Sequence, residues 1–245
     1  MAKAAPAEQL KLLELQGLDA KLKSLSNRRR TLENDPRITD LEAALSVANG
    51  ELGAAKMAVH DAELELKRAE ADVEQVSSRI QRDEARLNSG TGLSKDLMAL
   101  QSDIASLNRR LSSLEDVELE VMERLEGLRE RQSAQQKIVD DIQGSFAVIR
   151  AELDAALGEV DHEASAVKGR RAEFAAGLDA GLLAIYDKTL AKRGVGAARL
   201  FHGKSEGSGM QLSPGDLAEI KAAAEDDIVF CPDSGCILVR SAEWS

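Results

Sequence analysis

Apolar residues recur along most of this chain at alternating steps of three and four, the spacing of a helix that buries one stripe against another helix. The first run, from about Ala7 to Glu33, puts Leu15, Leu18, Leu22, Leu25 and Leu32 on one face, with Arg29 in the one skipped position. Asn34-Asp35-Pro36 interrupts it, because proline cannot continue a helix interior and biases the preceding residue out of the helical region. The second run is the most regular. Leu41, Leu45, Ala48, Leu52, Ala55, Val59, Ala62, Leu66, Ala69, Val73, Val76 and Ile80 hold the alternation without exception. A seven-residue repeat kept this long imposes a left-handed supercoil, and its alanines allow close approach of a partner helix.

Asn88-Ser89-Gly90-Thr91-Gly92 breaks the pattern with turn-forming residues. Ser94 is placed to cap a new helix. A third run then extends through Leu97, Leu100, Ile104, Leu107, Leu111, Leu114, Val121, Leu125, Leu128, Ile142, Phe146, Ile149, Leu153, Val160, Val167, Phe174 and Leu178, with polar gaps near Glu118 and Gln132. It is expected to reach about Lys192. The helical lengths before and after the glycine turn nearly match, so folding back at the turn lets each stripe cover the other. A parallel homodimer would also cover the stripes, but it leaves the mid-length turn without a role. The expected fold is mainly α: a long antiparallel coiled-coil hairpin over 1–193, with a break near Pro36 and a tip near 88–94, followed by a small α+β domain over 194–245.

In that last stretch Met210-Gln211-Leu212 reads as a short strand, and 216–224 as a helix capped by Ser213 or Asp216. Ile228-Val229-Phe230 and Ile237-Leu238-Val239-Arg240 read as strands flanking a loop from Cys231 to Cys236. About 50 residues is a size that rarely stabilises itself without a metal or a docking surface.

Composition narrows the function classes. Aromatics are 2% and charged residues 31%, which suits long helices and not a large layered core. The net charge of −11 repels a polyanion. From Gly194 onward, Arg199, Lys204, Lys221 and Arg240 face Glu206, Asp216, Glu219, Glu225, Asp226, Asp227, Asp233 and Glu243. There is no secretory leader pattern and no apolar stretch of membrane-spanning length, so a cytoplasmic protein without a membrane partner is expected. No catalytic triad order, phosphate loop or zinc-protease helix is present, and an enzyme is not expected.

The chemistry of interest lies in Ser205-Glu206-Gly207-Ser208 and Cys231-Pro232-Asp233-Ser234-Gly235-Cys236. With cysteine at 205, 208 and 234 the two segments would have the ligand spacing of a four-cysteine zinc ribbon. Leu12-Leu13-Glu14-Leu15-Gln16-Gly17-Leu18-Asp19 near the start, 94–104 after the tip and 215–226 between the two segments complete a pattern along the whole chain. It resembles the bacterial coiled-coil proteins with a C-terminal C4-type zinc ribbon, particularly their actinobacterial branch. The resemblance implies a long hairpin bearing a ribbon, and relatives that act as adapters for protein partners or as RNA binders.

The departure from that family is specific. Of its four ligand positions only Cys231 keeps a thiol, and Ser205, Ser208 and Ser234 occupy the others. A serine hydroxyl stays protonated near neutrality and is a poor zinc ligand, so no cofactor is expected here although relatives hold zinc. A rearranged set of Cys231, Cys236, His202 and Asp233 is the competing arrangement. A Cys231–Cys236 disulfide would need an oxidising compartment. The expected function is a non-enzymatic adapter, monomeric or weakly dimeric, with Leu93, Lys95 and Leu97 at the hairpin tip contacting a protein partner. The alternative is RNA or DNA binding through the ribbon and the adjacent Lys188, Lys192 and Arg193, a cluster without interleaved aromatics for base stacking.

Overall fold

The computed structural model describes residues 3–241 and Trp244. Four helices come first, α1 (Pro6–Glu33), α2 (Pro36–Asn88), α3 (Ser94–Ala176) and α4 (Ala180–Arg193). Then follow β1 (Ala197–Phe201), β2 (Lys204–Ser205), α5 (Pro214–Ala222), β3 (Val229–Phe230) and β4 (Ile237–Arg240). The chain divides into two compact units, Pro36–Arg150 and the combination of Met1–Asp35 with Ala151–Ser245. No helix among the described residues is long and apolar enough to cross a membrane.

In the unit Pro36–Arg150, α2 and residues 94–150 of α3 pack antiparallel. Val76 and Ile80 meet Ile104, Val59 and Ala62 meet Leu125, and Ala48 and Leu52 meet Val139. One helix descends as the other climbs. All the α2 seam positions from Leu41 to Ile80 are buried or half-buried. The polar gap after Leu128 is part of the same seam. There Gln135 Nε2 donates to the Ala48 carbonyl at 3.2 Å and to Glu51 at 3.0 Å, and buried Val139 resumes the apolar run. Arg129 pairs with Glu63 at 2.7 Å and Arg124 with Glu65 along the flanks; such exposed pairs fix register more than they stabilise. At the turn, α3 opens on the Leu93 carbonyl, which accepts the Asp96 and Leu97 amides at 2.9 and 3.1 Å. Ser94 is thus the first helical residue and not the cap.

In the other unit, α1 packs antiparallel on residues 151–176 of α3, with Leu25 against Val160 and Val167. The third helical run does not continue to Lys192 as one piece. It stops at Ala176, and after Gly177 and Leu178 the Asp179 carboxylate accepts the Leu182 amide at 2.8 Å and starts α4. Apolar spacing runs through this break, which is why the seam pattern hides it. The bend turns Leu182 and Tyr186 of α4 into one core with Leu12, Leu15, Ala197, Ile228, Ile237 and Val239.

The sheet order is β2-β1-β4-β3. β1 and β4 are parallel, with Ala197 opposite Ile237, and the outer pairs are antiparallel. The pattern of residues did not disclose β1 or β2, and 210–212 contributes an isolated bridge from Gln211 to Lys204 instead of a strand. Ser213 caps α5 and exchanges hydrogen bonds with Asp216, so the helix begins at Pro214, before the expected 216.

A half-buried polar network around the buried Tyr186 ties helices to sheet. Gln16 Oε1 on α1 accepts the Gly196 and Ala197 amides at 2.7 and 3.2 Å and lies 3.3 Å from the Tyr186 hydroxyl. That hydroxyl donates to Asp19 at 2.8 Å, and Arg171 on α3 bridges Asp19 at 3.1 Å and Asp187 at 2.6 Å. Gly196 is required here, since a Cβ would stand 2.4 Å from the Tyr186 ring.

Burial, with help from the Asp19 carboxylate, pushes the Tyr186 hydroxyl well above its ordinary value. The folded state therefore holds this proton more tightly than the unfolded chain. Its contribution to stability is complete below about pH 10 and declines above it, where only the unfolded chain ionises. Tyr186 is the one tyrosine in the chain. Tyrosinate absorbance should stay absent as pH passes about 10 and rise only together with loss of helical circular dichroism. Ordinary titration near 10 with the helices intact would contradict this.

Candidate functional site

The ribbon segment is built on two loops of one design. In the first, the Gly209 amide donates to the Ser205 carbonyl at 2.8 Å; in the second, the Gly235 amide donates to the Cys231 carbonyl at 2.9 Å. Each closing glycine has φ near +70°, a region open to glycine but strained for other residues. The first loop closes back on β2 through the Ser205 amide and the Met210 carbonyl at 3.0 Å. The second returns into β4 through the Cys231 amide and the Cys236 carbonyl at 2.8 Å.

The loops bring their side chains together. Cys231 Sγ lies 3.9 Å from Ser208 Oγ, and the Ser234 hydroxyl donates to Cys236 Sγ at 3.1 Å. Gly207 fits against the same cluster, because a Cβ there would stand 2.6 Å from Cys236 Sγ and 3.4 Å from Ser234 Oγ. Ser205 is fully buried, and its hydroxyl has no hydrogen-bond partner of ordinary geometry although it faces the Cys231 thiol. A buried hydroxyl without a partner is costly. Its position is the one a cysteine ligand would hold.

Burial pushes the Cys231 thiol up, but Ser205, the Ser234 amide and side chain and the Asp233 amide together favour the thiolate and bring it below the ordinary thiol value. Backbone amides aimed at sulfur are thus retained around the one remaining ligand cysteine. Cys236 goes the other way, pushed up by its burial.

The donor chemistry does not fit a structural zinc ion. The four ligand positions offer one thiol and three hydroxyls, whereas such sites use thiolate and imidazole. Among the described residues no group of three or more His, Cys, Asp or Glu is placed to hold a metal. The rearranged set is not assembled. His202 is exposed in the β1–β2 turn with its ring against Phe201 at 4.2 Å, and Asp233 offers Cys231 its amide. Cys231 and Cys236 are free thiols inside an apolar cluster with Ala198, Leu200, Leu212, Ile220 and Leu238.

Arg240 organises the remainder. From the end of β4 its guanidinium donates to the carbonyls of Ile220, Ala223, Ala224, Glu225 and Asp227 at 2.7 to 3.4 Å. One of these, Ile220, lies in the last turn of α5, whose carbonyls lack donor partners within the helix's own ladder, and the others follow it. One cation thereby fixes the connection between α5 and β3.

The other candidate residues lie elsewhere. Leu93 is 74% exposed at the tip, Lys95 is exposed, and Leu97 is half-buried. Lys188, Lys192 and Arg193 are exposed on α4. Arg193 packs over the second loop, with Nε 2.7 Å from where a Gly235 Cβ would stand. Gln16, Asp19, Arg171, Tyr186 and Arg240 were not singled out by spacing. Gln16 and Asp19 do fall inside the opening signature, and that was their only signal.

An antiparallel helical hairpin, accompanied by two facing four-residue loops on a small sheet, defines a coiled-coil protein with a ribbon-type C-terminal segment. Residues 15–194 match the CT398-like coiled coil hairpin domain and residues 204–238 the C4-type zinc ribbon domain. The chain belongs to the CT398-like coiled-coil hairpin family. It is similar to a solved structure from Mycobacterium smegmatis, at 32% identity and a TM-score of 0.85, covering 98% of this chain and 100% of that one. CT398 from Chlamydia trachomatis shares the fold at 16% identity and a TM-score of 0.65, covering 96% of this chain and 98% of that one. The uncharacterised protein Rv2229c of Mycobacterium tuberculosis is 38% identical over 152 residues, which is 62% of this chain and 62% of that protein's length.

Replacing Arg240 with alanine should leave the Ile220, Ala223 and Asp227 carbonyls short of a partner and destabilise the C-terminal segment by about 2–4 kcal/mol. Hydrogen exchange should accelerate over 214–230 while the amides of α2 stay protected. Unchanged exchange over 214–230 would remove Arg240 from this role.

Proposed function

We propose that the chain is a non-enzymatic cytoplasmic adapter that holds protein partners through the hairpin tip and the ribbon-like tail. The carrying observation is the tip. Leu93 and Met98 stand 74% and 73% exposed at the start of α3, far more than the half-buried seam positions that follow. Large apolar side chains left exposed are a mark of a contact surface. Nucleic acid is disfavoured by the net charge of −11 and by the engagement of Arg193 with the Gly235 loop. The ribbon contributes surface and not metal, three of its four ligand positions holding hydroxyls in loops of matched closure.

Affinity capture with the full chain tests the adapter role. Partner proteins should be retained after nuclease treatment and in about 1 M salt, where exposed charges are screened over a few ångströms. Leu93→Asp should abolish the capture with the helical content unchanged. Release by nuclease, with recovery of RNA or DNA, would overturn the proposal in favour of nucleic-acid binding.

Elemental analysis tests the ribbon. The chain purified without chelator should carry well below one zinc per molecule. Ser205→Cys, Ser208→Cys and Ser234→Cys combined should raise this to about one and raise the melting temperature. Stoichiometric zinc in the unsubstituted chain would show that the hydroxyl set, or a rearranged one, holds metal after all.

A further inference from the structure

Beside β3 the ribbon segment carries an open groove of about 650 Å³, walled by Glu219 and Ile220 of α5 on one side and by Val229, Phe230 and Pro232 on the other. β3 is the last strand of the sheet. The Cys231 amide bonds to Cys236, which makes that pair the hydrogen-bonded one and the neighbouring Phe230–Ile237 pair the non-bonded one. The Phe230 amide and carbonyl therefore turn outward, to the side of the sheet that no strand among the described residues covers. Its side chain is 46% exposed. The groove thus offers an apolar wall, an open strand edge and a carboxylate rim of Asp216, Glu219 and Asp227.

The chain itself shows what chemistry suits this edge. Its N-terminal segment approaches the residues just before β3 in extended form, Lys3 bridging antiparallel to Asp227 and the Ala4 amide donating to the Asp226 carbonyl at 2.8 Å. The Lys3 ammonium lies 2.9 Å from Asp226 and 3.9 Å from Asp227. One lysine on an extended backbone already uses both the polar edge and the acidic rim, and the edge continues past it to Phe230.

We propose that the groove beside β3 binds an extended segment of a partner protein that carries lysine or arginine next to apolar residues, by strand addition at Phe230. Backbone pairing supplies the affinity common to such complexes, and the side-chain pockets supply the selection. An apolar side chain fills the space between Ile220 and Phe230, and a cation reaches Glu219. The proposal rests on the adapter reading and names the chemistry of one of its surfaces.

The probe is the heptapeptide Lys-Val-Val-Lys-Val-Val-Lys, which shows both kinds of side chain on either face of an extended strand. Fluorescence anisotropy with the full chain should show saturable binding. Glu219→Lys and Phe230→Ala, both at exposed positions, should each weaken it at least tenfold with circular dichroism unchanged. The same peptide with glutamate for lysine should not bind, and N-methylation of its central residues should remove binding by blocking the strand hydrogen bonds. Equal binding by the chain and both variants, or by the N-methylated peptide, would overturn strand addition and leave bulk charge attraction only. A concentration-dependent dimer in light scattering that Phe230→Glu dissolves would overturn it in favour of a second copy of this chain. If both groove variants bind the peptide as the unsubstituted chain does while Leu93→Asp still abolishes partner capture, the adapter reading stands and this proposal falls.

Discussion

The side-chain carbonyl of Gln16 is the point on which the ribbon-bearing unit depends. It accepts the amides of Gly196 and of Ala197, the first residue of β1, and stands beside the hydroxyl of Tyr186, which in turn is held by Asp19 and, through it, by Arg171. Elements α1, α3, α4 and β1 thus meet on one chain of hydrogen bonds inside an apolar shell. Such networks are costly when incomplete and specify one arrangement when satisfied. The close approach of Gly196 to the Tyr186 ring shows how little slack remains.

This constraint bears on how the ribbon keeps its shape. A segment of its size commonly relies on a metal. Here the family's four ligand positions hold three hydroxyls and one thiol, yet the two loops have matched backbone closures and amides aimed at Cys231. The ribbon instead shares its core with the helices, through Ile228, Ile237 and Val239 against Leu12, Leu15 and Tyr186. Arg240 holds the far side by pinning five carbonyls. Docking and one guanidinium supply constraints of the kind a metal would impose, and the loop surface is left for other contacts.

The helical part was legible because a coiled-coil seam is written in a period that few other structures share. Each α2 seam residue from Leu41 to Ile80 is at least half-buried where the alternation placed it. The failures have local causes. Val139 is hidden from the pattern because Gln132 and Gln135 mask the period, although Gln135 fills its seam position by bonding across to α2. The break after Ala176 was hidden because apolar spacing continues through Gly177 and Asp179. Strand β1 was missed because Ala197 and Ala198 carry no strand signal of their own, and its pairing with β4 joins residues 40 apart.

The sequence alone determined the hairpin, the turn that folds it and the loss of ligand cysteines, since each follows from local spacing and side-chain chemistry. It also set the net charge of −11, which acts on any charged partner without reference to fold. Only the tertiary structure decided how the ribbon is held to the helices and where its open edge lies. Those facts depend on residues far apart in the chain, Gln16 with Gly196 and Arg240 with Ile220, whose meeting no periodicity records. Long-range polar contacts are selected by geometry after the apolar layers have packed, and that geometry is fixed only when the whole unit has folded.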